Sequence, residues 1–258
     1  MDANCKNCEL TLQSDYFHCP KCGQKTNLHR LGFHELFHET VHYFTHADKG
    51  LLQLIRDLAV KNGKVASEFL NGKRKKYYPP LTFFFLVIAI NLFVSTKTND
   101  HVNVNIEEKY PEVTQITDPV QREKWTHVYE KREQGVSFIN NNINTISMVS
   151  LPIISFVFFL FYFRRSYNYF EHLVAGMYMF GFYTLLVILI SALGYLMHVN
   201  ENIVYGICLS LQLIYYTIYY GNFIPGTRVR AFLAALLSIS LLFVISGVLM
   251  WFYMFSVK

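Results

Sequence analysis

The chain has 258 residues, 52% of them hydrophobic and 17% aromatic, with only 16% charged. That balance excludes an ordinary soluble domain and points to membrane segments. The formal net charge of +5 is gathered in a few places, so its location carries more than its sum.

The first residues, MDANCKNCEL, hold no apolar h-region and no small-residue cleavage site, so no signal peptide is expected to be removed. Cys5, Cys8, Cys19 and Cys22 follow as two C-x2-C pairs. Each pair lets two thiolates grip one ion about 2.3 Å from each sulfur, and two pairs complete a tetrahedral shell with no open position. This predicts a structural zinc ribbon over residues 1–28. Pro20 stiffens its second turn, and Gly23 allows the backbone to curl so that amides point at the sulfurs. Two disulfides are the alternative, and they require an oxidising compartment. A segment of under about 30 residues cannot bury a sufficient core, so it is expected to unfold without metal.

Residues 29–78 read as a cytoplasmic amphipathic helical segment. Phe33, Leu36, Phe37, Val41 and Phe44 recur at helical spacing, which places His34, His38, His42 and His46 on the polar flank. The stretch HELFHETVHYFTH spells H-E-x-x-H twice. Glu35 or Glu39 could then activate a water on zinc held by His34 with His38, or by His38 with His42. A third ligand is required, and Asp48, Glu171 and His172 are the candidates. A multi-histidine iron site for oxygen chemistry is a second metal reading, and a pH-responsive face is another. The favoured reading is simpler: the aromatic face rests on the bilayer or the spans, and the histidines face water or headgroups. Asp48 is favoured as the N-cap of a helix through LLQLIRDLAV over a ligand, and Gly63 and Gly72 are expected to end two helices.

Lys73, Arg74, Lys75 and Lys76 precede Tyr77, Tyr78, Pro79 and Pro80. Basic residues beside a span suit anionic lipid headgroups, at about 1 kcal/mol each, and nucleic acid is the less favoured ligand. The apolar run from Leu81 to Ser95 is a short first span entered from the cytoplasm, with a re-entrant segment as its rival. Four windows without Asp, Glu, Lys or Arg follow at 143–163, 173–198, 203–222 and 231–255. Each approximates the roughly 20 residues needed to cross the hydrocarbon. Arg164 and Arg165 follow the second span, Glu201 lies after the third, and Arg228 and Arg230 follow the fourth. Their alternation predicts five spans, with the N-terminus inside, the C-terminus outside and an external loop over 96–142. That loop holds six Lys or Arg against eight Asp or Glu, and Asp118 is expected to cap a helix from Pro119 to Gly135. Polar residues within the spans are mild, such as Asn91, Ser155 and Gln212, which weakens a pump or proton-coupled carrier. Ala231 with Ala235 and Ala234 with Ser238 predict close helix packing. Cys208 reads as packing, and Tyr215, Tyr216, Tyr219 and Tyr220 as an aromatic belt.

The CKNC and CPKCGQKT pairs, His29 with Arg30, FTHADKG at 44–50 and NGKRKKYYPP at 71–80 resemble an uncharacterised family of bacterial membrane proteins with a domain of unknown function. The resemblance covers roughly the first 95 residues and implies an architecture and a zinc ribbon, with no reaction attached. The five-span layout is also similar to the Yip1-type membrane proteins, which implies membrane organisation at the level of fold.

The expectation is therefore an all-α polytopic membrane protein of the bacterial inner membrane, with five transmembrane helices over 79–258, a four-cysteine zinc ribbon and amphipathic cytoplasmic helices. Its favoured role is a non-enzymatic scaffold or regulator that meets membrane lipids and recruits a cytoplasmic protein partner. A membrane metalloenzyme with a second metal on the histidine stripe is the alternative, and permeation comes third.

Overall fold

The computed structural model describes residues 4–28, 30, 32, 50–98, 106–164, 167–226 and 228–256. Nine helices are described: α1 (Gly50–Lys61), α2 (Lys64–Leu70), α3 (Pro80–Thr98), α4 (Ile106–Lys109), α5 (Pro119–Asn141), α6 (Ile143–Phe161), α7 (Tyr169–Leu196), α8 (Glu201–Phe223) and α9 (Arg228–Ser256). Among the described residues no strand forms beyond two isolated antiparallel bridges, Asn4 with Thr11 and His18 with Lys25. Among the described residues three stretches are long and apolar enough to cross a membrane: Tyr169–Leu196, Glu201–Phe223 and Arg228–Phe252. The apolar stretches Pro80–Val94 and Thr145–Phe161 are shorter.

The chain divides into two compact units. The first comprises Met1–Asn91 and Leu151–Ser238, and its centre is the α7–α8 pair. These helices fold back on one another through a short turn in which His198 takes φ +52° and the Asn200 side chain accepts the Asn202 N–H at 2.9 Å. They approach closely because Gly194 has no side chain: a Cβ there would lie 2.6 Å from Val204 Cγ2. The start of α7 is fixed by reciprocal bonds, Glu171 N–H to Asn168 Oδ1 at 2.9 Å and Asn168 N–H to Glu171 Oε2 at 2.7 Å.

The short helix α2 packs on both α7 and α8, and α1 packs on α7. Leu54, Leu58, Val65, Ala66 and Phe69 form their buried face, and the Phe69 ring meets Tyr178 edge-on at 5.8 Å. Gly72 takes φ +112°, as expected of a glycine past a helix end. Gly63 differs from expectation. Asn62, at φ +51°, is the left-handed residue after α1, whereas Gly63 has φ −60° and precedes α2. Its lack of a side chain serves packing, since a Cβ would stand 1.9 Å from the Tyr219 carbonyl oxygen.

Two further expectations concern the long helices. Ala231, Ala234, Ala235 and Ser238 form a small-residue face that is buried, as their spacing predicts. Cys208 is likewise buried. Tyr215, Tyr216, Tyr219 and Tyr220 do not form a surface belt: all four are buried, with Tyr220 stacked on Phe158 at 3.6 Å. The C-terminal half of α8 is covered by α2 and α7, so its tyrosines fill a core.

The second unit comprises Leu92–Ser150 and Ile239–Lys258. In it α4 packs on α5, with Tyr110 stacked on Tyr129 at 4.2 Å and Glu133 receiving both the Tyr110 hydroxyl at 2.5 Å and Lys109 Nζ at 2.7 Å. Asp118 Oδ1 accepts the Val120 N–H at 3.0 Å, the expected start. The helix does not end at Gly135 but continues to Asn141. Nothing in VSFINN breaks it, and one interior glycine costs only about 1 kcal/mol.

Candidate metal centre

The four cysteines sit on two turns that repeat each other after fourteen residues. In the first, Cys5 N–H donates to the Leu10 carbonyl and Glu9 N–H to the Cys5 carbonyl, both at 2.8 Å. In the second, Cys19 N–H donates to the Gln24 carbonyl and Gly23 N–H to the Cys19 carbonyl, again both at 2.8 Å. The bridges Asn4 with Thr11 and His18 with Lys25 close the two turns at equivalent positions. Each turn needs a left-handed residue after its second cysteine. Gly23 supplies it at φ +70° and Glu9 at φ +62°. The sequence shows the glycine directly, and Glu9 is found only by superposing the two C-x2-C pairs.

This doubling brings the sulfurs together. Cys5 Sγ lies 3.6 Å from Cys22 Sγ, and Cys8 Sγ lies 3.5 Å from Cys19 Sγ. All four lie within 4.8 Å of one another and could hold a metal ion. Four sulfurs placed tetrahedrally about 2.3 Å from an ion would be roughly 3.8 Å apart, so the observed spacing fits. Disulfides would require about 2.05 Å. Burial pushes the Cys19 thiol up, but amides of Cys22 and Lys21 outweigh it and hold the group near its lower value of about 7. Burial carries Cys22 up to about 12. A bound cation would deprotonate coordinating thiols outright.

The cysteine segment leans on the basic loop. Gln24 is buried, and its Oε1 accepts the Lys75 N–H at 3.1 Å. A Cβ at Gly72 would lie 2.9 Å from both Leu28 Cδ1 and Lys6 Cδ. The loop is tied on its other side to α1 and α2. Lys76 Nζ stands 2.7 Å from Glu68 Oε2 and 3.8 Å from Asp57 Oδ2, and Lys73 Nζ is 3.7 Å from Glu68 Oε1. The Tyr77 hydroxyl, fully enclosed, lies 2.6 Å from Glu68 Oε2 and 3.0 Å from Asp57 Oδ2, with one proton to share between them. Lys61 Nζ donates to Asp57 Oδ2 at 2.8 Å.

Burial opposes ionisation of Glu68, but the Lys76 and Tyr77 hydrogen bonds and the lysine charges prevail and hold its carboxyl at about 2. Asp57 is lowered for the same reasons, with Lys61 its main donor. Burial, reinforced by the two carboxylates, pushes the Tyr77 phenol well up, so it stays a donor. Lys73 and Lys76 thus reach protein carboxylates, and Arg74 is buried. Of the four basic residues expected at lipid headgroups, Lys75 is the exposed one. Sequence reasoning misses Asp57, Glu68 and Gln24, because their roles depend on partners 4 to 51 positions away.

His34, His38, His42, His46, Glu35, Glu39 and Asp48 lie outside the described residues. The two remaining ligand candidates are described. Glu171 makes a bidentate pair with Arg30, Nε to Oε1 at 2.8 Å and Nη2 to Oε2 at 2.7 Å, besides its role at the start of α7. His172 is fully buried between aromatic rings, stacked on Tyr220 at 5.9 Å and flanked by Phe159 and Phe223, and neither ring nitrogen has a hydrogen-bond partner. Among the described residues the cysteine tetrad alone groups three or more ligand side chains closely enough for a metal.

A family model described as a protein of unknown function (DUF3667) matches residues 48–92. The match contains α1, α2, the basic loop and most of α3, while the cysteine segment lies outside it. No curated protein and no solved structure matches the chain.

Proposed function

We propose that this chain is a non-enzymatic scaffold or regulator of the bacterial inner membrane, built from a zinc ribbon over residues 1–28, a cytoplasmic helical segment over 29–78 and a membrane part over 79–258. The membrane part would cross five times, with α3 and α6 as the two short spans, the N-terminus in the cytoplasm and the C-terminus outside. The cytoplasmic module would recruit a protein partner to the membrane surface. One observation carries the reading: the sulfur tetrad closes on itself with spacing suited to a single tetrahedral ion. A closed shell leaves no coordination position for a substrate, which is the signature of a structural metal. The engagement of Glu171 by Arg30 and the ring-lined setting of His172 support the same side of the choice.

Metal counting on the purified full chain tests it. One zinc per chain, lost when Cys5 and Cys22 are changed to serine, is the expected result. A second ion that survives those changes and disappears in His38→Ala would replace the scaffold reading with a metalloenzyme.

A further inference from the structure

Gln24 belongs to two structures at once. Its backbone carbonyl accepts the Cys19 N–H and so closes the second cysteine turn, while its side-chain oxygen accepts the Lys75 N–H of the basic loop. Beside it, Leu28 and Lys6 fill the space that a side chain at Gly72 would need. The loop thereby carries the cysteine segment on one side and is fastened to Glu68 and Asp57 on the other.

A segment this short has no core of its own, so its turns persist only while a metal holds the four sulfurs. If the second turn opens, Gln24 no longer presents its oxygen at Lys75, and the Leu28 and Lys6 contacts with Gly72 go with it. We infer that the cysteine segment is a metal-dependent clamp on the basic loop, docked by Gln24, Leu28 and Lys6 when metal is bound and released when it leaves. Metal supply would then govern how firmly the loop ahead of α3 is held. The inference rests on the proposed metal occupancy.

Amide hydrogen exchange of the full chain in nanodiscs, read on peptides containing Lys75 and paired with a metal count, tests it. Zinc-loaded native chain should protect the Lys75 amide, and chelation should speed its exchange about tenfold or more, since a hydrogen bond and its covering contacts are lost together. Restoring zinc should restore protection. Gln24→Leu keeps all four cysteines, and it should retain one zinc yet exchange at the rate of the stripped chain. A native chain that binds zinc but whose Lys75 exchange ignores its removal overturns the clamp alone. A native chain that binds no zinc overturns the metal reading and the clamp together, and the metal count tells the two failures apart.

Discussion

Gly63 is a residue whose replacement by the smallest possible side chain should be costly. A Cβ there would stand 1.9 Å from the Tyr219 carbonyl oxygen and 2.7 Å from the Phe223 amide nitrogen, both backbone atoms of α8. Backbone cannot rotate aside as a flexible side chain can, so Gly63→Ala should lift the α1–α2 pair off α8. We expect a loss of about 3 kcal/mol, the upper part of the range for overpacking, read as a lower thermal midpoint in detergent. Gly206 offers a control, because a Cβ there meets nothing within 4 Å. Gly206→Ala should leave the midpoint unchanged or raise it slightly, as alanine is the better helix former. Equal midpoints for the two variants would refute the close approach. At this scale the cysteine tetrad was legible, because ligand spacing is a local property of the chain. The role of Gly63 was not: a glycine near a helix end reads as a cap, and only the third dimension shows α8 against it.

The α1–α2 pair and the loop after it form the element that titrates. Glu68 is held at about 2 against an ordinary 4.5, and Asp57 is also lowered. In the interval between the folded and unfolded values the unfolded chain binds more protons, so falling pH favours unfolding. The contribution of Glu68 is complete above about pH 4.5 and drains away as pH falls toward about 2. Lys61 works in the opposite sense. Its value is raised, so its share is present at neutral pH and is lost only above 10.5. Native chain should therefore show a thermal midpoint that falls as pH drops below about 4.5. Glu68→Gln, which breaks the pairing with Lys76 and leaves that amine half-buried, should cost about 1–3 kcal/mol at neutral pH and flatten the acid limb. An acid limb of unchanged depth in Glu68→Gln would show that other carboxylates set it. The KRKK run was legible as charge beside an apolar helix. Its partners Glu68 and Asp57 were hidden, because ion pairing across two helices depends on how the pair folds back, which periodicity does not encode. The tyrosines of α8 depart from expectation for a related reason: their position suits a belt, and the burial comes from α2 and α7 lying over them.

For the whole molecule, charge-free windows located α7, α8 and α9 well, since length and hydropathy are what those helices present to lipid. The same property leaves α3 and α6 ambiguous, with apolar stretches of only Pro80–Val94 and Thr145–Phe161. Counting ends does not resolve them. If α3 and α6 both cross there are five spans, and if neither crosses there are three; both numbers are odd, so both put the termini on opposite faces. The side on which α4 and α5 lie is what differs, because it flips between the two cases. The proposed five-span topology puts them outside. Val120 is 75% exposed and follows the Asp118 cap at the start of α5, so a thiol there would be reachable without disturbing packing. In intact spheroplasts of cells making Val120→Cys, a membrane-impermeant maleimide should label the chain before any permeabilisation. A variant that also carries Cys208→Ala and serines at the four N-terminal cysteines keeps the signal specific to position 120. Labelling that requires permeabilisation would place α4 and α5 in the cytoplasm and, with the N-terminus on that same side as proposed, reduce the spans to three. The short helices would then be re-entrant, as the shortness of the Leu81 to Ser95 run allows.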